Sequence, residues 1–164
     1  MYSRYSKIVL VWSIGFFALL VTLNNIMDYQ SNYIYVIHVL EMDSTFPDNK
    51  LGWRAIDSSL IHRIVYSCII FIEGVVAVLC LAGGWRLLIS VGNVDEFNAS
   101  KGLAIIGMTI GILLWFLVFI VIGGEWFLMW QSEQWNGTQA AFRITVIFGM
   151  ILIYLNMPDR EDHD

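Results

Sequence analysis

Residues 103–122 read LAIIGMTIGILLWFLVFIVI, twenty consecutive positions without a charge. At 1.5 Å per residue, a helix of that length reaches about 30 Å, the thickness of a bilayer's hydrocarbon core. A single chain segment in that medium must satisfy its own backbone, so the stretch predicts a membrane-spanning helix. Gly107 and Gly111 form a GxxxG inside it. That spacing permits close helix approach, but a glycine-rich span also produces it by chance.

Toward the C-terminus, residues 123–143 (GGEWFLMWQSEQWNGTQAAFR) join this run to another apolar run at 142–157, which Pro158 ends. The junction holds Trp126, Trp130 and Trp135, with Glu125 and Arg143 at its edges. Trp126 and Trp130 stand four residues apart and share a face if the helix continues. Toward the N-terminus, residues 92–100 read as a short polar loop, and 64–88 form a third apolar run. The first run, 8–27, follows Arg4 and Lys7. A basic start before an apolar stretch is also the pattern of a signal peptide, but this run is long enough to cross a bilayer and reads as a signal-anchor. Cys68 and Cys80 lie twelve residues apart in one run, about 18 Å along a helix, which is too far for a disulfide.

Composition agrees. The 164 residues are 58% hydrophobic and 14% charged, against roughly 25% charged in soluble domains. A surface facing lipid tails gains nothing from charge. With a net charge of −5, no basic field exists to recruit nucleic acid. Residues 29–62 are the longest polar segment. Within it Tyr33, Val36, Ile37 and Leu40 recur at helical spacing, so 32–42 predicts a short amphipathic helix. Thr45-Phe46-Pro47-Asp48-Asn49 is turn chemistry, and Asp57-Ser58-Ser59 offers an N-cap for the next helix. The expected fold is all-α: one membrane domain over 1–164, a four-helix transmembrane bundle with spans at 8–27, 64–88, 103–122 and 142–157. A partly helical extracytoplasmic cap over 29–62 joins helices 1 and 2.

Arg4, Lys7, Arg86, Lys101 and Arg160 fall on one side of these spans, Lys50, Arg54, Arg63 and Arg143 on the other. The excess places both termini in the cytoplasm. Asn24, Asn25 and Asp28 then end helix 1 on the outer side, His62 and Arg63 begin helix 2, Glu125 ends helix 3 and Arg143 begins helix 4. The inner half reads as almost featureless, and the tail DREDHD as solvated. Since an unpaired interfacial charge is costly, Asp28 and Glu125 are expected to face Arg63 and Arg143 across an outer vestibule. Neutralising Arg143 would then loosen the cap. In the plainer reading these charges, with Trp53, Trp126, Trp130 and Trp135, pin the cap and mark the headgroup level.

Glu73 stands apart, near the middle of the second span, where a carboxyl is expensive and functional by default. It is the intramembrane candidate: a packing group, a proton or cation site, or the contact for a partner subunit. His38 and His62 are the candidates for metal or haem, but no HxxxH, HExxH or CxxC spacing supports them, so neither metal nor cofactor is expected. No Ser-His-Asp set or phosphate loop is present, and no catalytic residue is assigned.

The segments NNIMDYQSN (24–32), HVLEMDSTFP (38–47), WRAI (53–56), GGEWFLMWQSEQWNG (123–137) and AAFR (140–143) give the chain a resemblance to a bacterial family of predicted small integral membrane proteins of unknown function. The resemblance implies four spans, a bacterial inner-membrane setting and a signature in the outer polar segments. It carries over no catalytic residue. Three functions stay open. The first is a non-catalytic accessory or assembly subunit that binds a larger membrane complex or itself. The second is a small oligomeric ion, proton or solute transporter using Glu73 and the outer vestibule. The third is a haem- or quinone-binding redox protein.

Overall fold

A computed structural model describes residues 1–160. All regular structure among them is helical: α1 (Tyr2–Met27), α2 (Tyr29–Glu41), a 3-10 turn (Gly52–Arg54), α3 (Ser59–Ile89), α4 (Val94–Ala99), α5 (Gly102–Ile112), a second 3-10 turn (Met129–Gln131) and α6 (Thr138–Asn156). The α5 rod continues without a break as a π-helical segment, Leu113–Trp126. Four helices are long and apolar enough to cross a membrane: Tyr2–Met27, Ser59–Ile89, Val94–Trp126 and Thr138–Asn156. Large apolar side chains such as Phe71, Val78, Ile106 and Ile153 stand exposed around them, an arrangement suited to lipid and not to water.

Because the outside is as apolar as the inside, the inward face is marked by small and polar residues. On α3 the buried positions His62, Tyr66, Ile69, Glu73, Val76, Cys80, Gly83 and Leu87 alternate steps of four and three. That is the period of a left-handed bundle seam. α1 shows the same rhythm through Arg4, Lys7, Val11, Ile14, Ala18 and Asn25. The two helices form the most extensive contact in the fold, followed by α3 with α5. Glycines set their approach. A Cβ on Gly83 would lie 2.6 Å from the Ala104 backbone nitrogen, so α3 and α5 cross there nearly backbone to backbone. The GxxxG pair serves two interfaces: Gly107 faces Leu79 and Cys80 of α3, and Gly111 faces Phe148 of α6.

Several expectations are corrected. Helices outrun the apolar runs, as α1 from Tyr2 and α6 from Thr138 show, because a helical backbone keeps its hydrogen bonds beyond the hydrocarbon edge. The amphipathic cap helix begins at Tyr29, after a single-residue break at Asp28. The polar loop 92–100 contains α4, nucleated by Asn93, whose side chain accepts from the backbone N–H of Asp95 (2.9 Å) and Glu96 (3.1 Å). Ser58 occupies the N-cap position of α3 but makes no side-chain cap bond. Trp126 and Trp130 do not share a helix face, since the chain turns between them at Leu128, left-handed at φ 56°.

The termini end is not featureless, and the tail is not solvated where it begins. Pro158 forces Met157 into an extended conformation (ψ 129°), which swings Asp159 back under the bundle. Its Oδ2 accepts from Lys7 Nζ and Lys101 Nζ, each at 2.7 Å. Both ammonium groups also donate to the Met157 carbonyl, at 2.7 and 2.9 Å. Asn98 closes the clamp, donating to the Asp159 carbonyl (3.0 Å) and accepting from its N–H (3.1 Å). Lys7, Lys101 and Asp159 are all buried. The rest of the tail, residues 161–164, lies outside the described residues. This clamp ties the end of α6 to α1 and to the start of α5.

Burial raises the Asp159 carboxyl, but Lys101 and Lys7 more than offset it and hold it below the ordinary 3.8. A depressed folded value means that the stabilisation is present above 3.8 and lost as pH falls through the lower folded value. In detergent, the unfolding midpoint of the wild type is therefore expected to fall as the pH drops below 3.8, and Asp159→Asn to blunt the fall. Asp159→Ala leaves two buried ammonium groups without their carboxylate and is expected to cost roughly 3–5 kcal/mol in the same thermal measurement. An unchanged midpoint would remove the clamp as a structural element.

Candidate functional site

Glu73 lies at the centre of α3, 2% exposed. Tyr66, Ile69 and Glu73 follow one another at i, i+3 and i+7 and so share the inward face. Opposite them α1 ends in Asn25, whose Nδ2 donates to Glu73 Oε2 at 2.7 Å. The Asn25 carbonyl oxygen Oδ1 accepts from Asn32 Nδ2 at 2.7 Å and from the Tyr66 hydroxyl at 3.3 Å. A relay of two amides thus leads from Asn32, exposed on α2, down to the buried carboxyl. Asn25 and Asn32 stand seven residues apart, two helical turns, so they stay in line across the break at Asp28.

Beside this network is a cavity of about 280 Å³. α1 contributes Val21 and Asn25, α3 Tyr66, Ile69 and Glu73, and the π-helical segment Trp115 and Phe119. α6 closes the wall with Ala140, Ala141 and Ile144, while Asn32, Tyr35 and Val36 of α2 lie over it with Gly137. Asn32 and Ala140 are exposed, so the cavity opens at the cap end, between α2 and the start of α6. No hydrogen bond to Glu73 Oε1 is made among the described residues, and Glu73 lines the cavity. A smaller apolar chamber of about 70 Å³ adjoins it and shares Tyr35, Val36, Ile69 and Phe119 as walls.

The π-helical segment borders both spaces. Its wider turn uses i→i+5 bonds, as from the Phe127 N–H to the Ile122 carbonyl at 3.0 Å, and such segments are concentrated at functional sites. Tyr35 stands at the cap side of the cavity, its hydroxyl directed at Met129 Sδ (2.6 Å) and pressed so closely on Gly137 that no Cβ fits there. Burial pushes the Tyr35 phenol up to about 12, against the opposing effect of its Gly137 backbone hydrogen bond. It stays a neutral hydroxyl.

The expected vestibule of ion pairs does not form. Asn24, Asp28, Arg63, Glu125 and Arg143 are exposed, and no ion pair joins Asp28 or Glu125 to Arg63 or Arg143 among the described residues. They share a level but point away from the bundle axis; Asp28 accepts instead from Ser31 (2.7 Å). Of the polar residues expected at this end, Asn25 joins Glu73. The tryptophans hold the cap to the loop before α6. Trp135 stacks on His38 at 4.3 Å, Trp130 meets Phe46, and Trp126 meets Trp53. The Arg54 guanidinium lies 4.3 Å from the Trp126 ring. His38 is engaged with Asp43 (2.6 Å), and His62 with the Ile56 carbonyl (2.7 Å); neither lines the cavity. Among the described residues no cluster of three or more His, Cys, Asp or Glu is placed to hold a metal.

Asn32, Tyr35, Tyr66 and Trp115 escaped the sequence reading. Only the seven-residue steps Asn25–Asn32 and Tyr66–Glu73 hinted at them. Residues 3–158 match the family described as "Predicted small integral membrane protein (DUF2165)". No curated protein and no solved structure matches the chain.

Asn25→Leu removes the donor to Glu73, the only one among the described residues, and is expected to cost about 1–3 kcal/mol in thermal unfolding, the penalty of a stranded buried acceptor. Arg143→Gln should leave unfolding and cap proteolysis unchanged. The opposite ranking of the two variants would restore the vestibule of ion pairs.

Proposed function

The chain belongs to this family of predicted small integral membrane proteins, and from that premise we propose that it is a solute-binding membrane protein, a small carrier whose binding site is the Glu73 cavity. The observation that carries this reading is the open oxygen of Glu73. Buried polar atoms in folded proteins are almost always hydrogen-bonded. Here one carboxyl oxygen is held by Asn25, the other has no partner among the described residues, and Glu73 lines a space of about 280 Å³. A single water takes about 30 Å³, so the space suits an occupant larger than one solvent molecule. Its mouth at the cap end gives that occupant a path from the membrane surface. With both termini cytoplasmic in a bacterial inner membrane, as the basic residues favour, the path begins on the outer side.

The accessory-subunit reading drew on Glu73 as the contact for a neighbouring protein. A carboxyl 2% exposed and bonded to Asn25 offers no such contact, which is why the carrier reading is preferred. A haem or quinone reading would draw on His38 and His62, and both ring systems are already engaged outside the cavity.

Thiol accessibility tests the proposal without knowing the solute. In a Cys68→Ala background, Ile144→Cys places a thiol on the cavity wall, while Cys80, wholly buried, serves as internal reference. Methyl methanethiosulfonate is expected to modify position 144 at least ten times faster than Cys80, and Ala140→Phe at the mouth to suppress that rate. Equal, slow modification of both thiols would sink the carrier reading.

A further inference from the structure

The inventory of the cavity wall is unusually one-sided. Beyond aliphatic side chains it holds one carboxyl, two carboxamides, two phenols, a phenyl ring and an indole, and no Lys, Arg or His. The acceptors are not equally available. Asn25 Oδ1 already takes Asn32 and Tyr66, and Glu73 Oε2 takes Asn25, which leaves Glu73 Oε1 as the open carboxyl oxygen, with the amide oxygen of the exposed Asn32 as the other acceptor without a partner among the described residues. An anionic occupant would meet this carboxyl with no cation in the wall to offset it. A cation, or at least a donor, completes the hydrogen bonding.

Bare metal ions fit poorly. A hard divalent cation takes six or more oxygen ligands, and the walls supply one free carboxyl oxygen among mostly aromatic and aliphatic groups. An ammonium ion that carries its own apolar substituents fits better. Its N–H groups, or its polarised N-methyl groups, face Glu73, and the rings of Tyr66, Trp115 and Phe119 offer the electron-rich surfaces to which such cations are drawn. Its substituents lie against Val21, Ile69 and Ile144, with the adjoining apolar chamber beyond Tyr35. Resting on the reading of this cavity as a solute site, we infer that its occupant is a small organic ammonium ion, held by Glu73 and enclosed by aromatic side chains.

The test uses the full chain purified in mild detergent, with thermal unfolding followed against butylammonium, 1-butanol and sodium ion as probes at equal concentration. Butylammonium is expected to raise the midpoint in a saturable way, with 1-butanol and sodium giving no saturable shift. Glu73→Gln, which keeps an oxygen for Asn25, should weaken the ammonium response at least ten-fold. Ala140→Phe should weaken it as well without touching the polar network, and it decides the matter if the Glu73 variant does not fold. Equal responses to butylammonium and 1-butanol, or a response that survives both substitutions, would overturn the ammonium assignment. A response to sodium matching that of butylammonium would overturn it in favour of an alkali-ion site. No response to any probe would also overturn it. In each of these cases, modification of the thiol at position 144 separately decides whether the cavity is a solute site at all.

Discussion

A carboxyl group at the middle of a membrane-length helix has no bulk water to turn to, and the hydrogen bond from Asn25 to Glu73 is how this fold answers that constraint. The bond fixes the rotation of α1 against α3, because both side chains must point into the same seam. It also fixes α2, since the Asn25 carbonyl oxygen is satisfied from Asn32 across the break at Asp28. Tyr66 completes the set from one side and lies edge-on to Tyr29 of α2 at 4.6 Å. Interactions between side chains in low-dielectric surroundings are stronger than in water, and an unmet group is correspondingly expensive. The network therefore selects one arrangement of three helices out of many with similar apolar packing.

The opposite end of the bundle is organised by the same constraint, with full charges in place of amides. Lys7 and Lys101 would be costly to bury alone, and Asp159 would be costly without them. Together they bring the chain end under the bundle and attach α6 to α1 and α5. That attachment bears on the cavity, because α6 supplies its outer wall through Ala140, Ala141 and Ile144, while its remaining contacts are mainly with α5 and the π-helical segment. Between the two polar ends the helices meet through small residues, with Gly15 against Leu81, Gly84 against Trp12 and Gly83 against Ala104. Close packing there, and open space beneath the cap, divide the bundle into a tightly packed half and a hollow half.

Much of this was legible in the residues. Four apolar runs gave the spans, the polar segment after the first gave the cap, and Glu73 was conspicuous by its depth. Arg143 and Glu125 stand at the same depth as Arg63 and Asp28, but equal depth along separate helices is not proximity. Asp159 opens a six-residue polar tail, and nothing local distinguishes it from its neighbours. The clamp depends on the bend at Pro158 and on two lysines that are 94 residues apart in sequence, Lys7 and Lys101.

The sequence by itself determined how many helices cross the membrane and at what level each side chain sits. Hydropathy encodes the bilayer's edges, and a fixed rise per residue converts position into depth. It did not determine which way each helix faces. In lipid the outside of a helix is as apolar as its inside, so the ordinary signal of an apolar stripe is weak, and azimuth is left to small residues and polar partners on other helices. Only the tertiary structure decided that Glu73 meets Asn25, that Asp159 folds under the bundle, and that a cavity lies beside the Glu73 carboxyl. Depth is a property of one helix; pairing is a property of several.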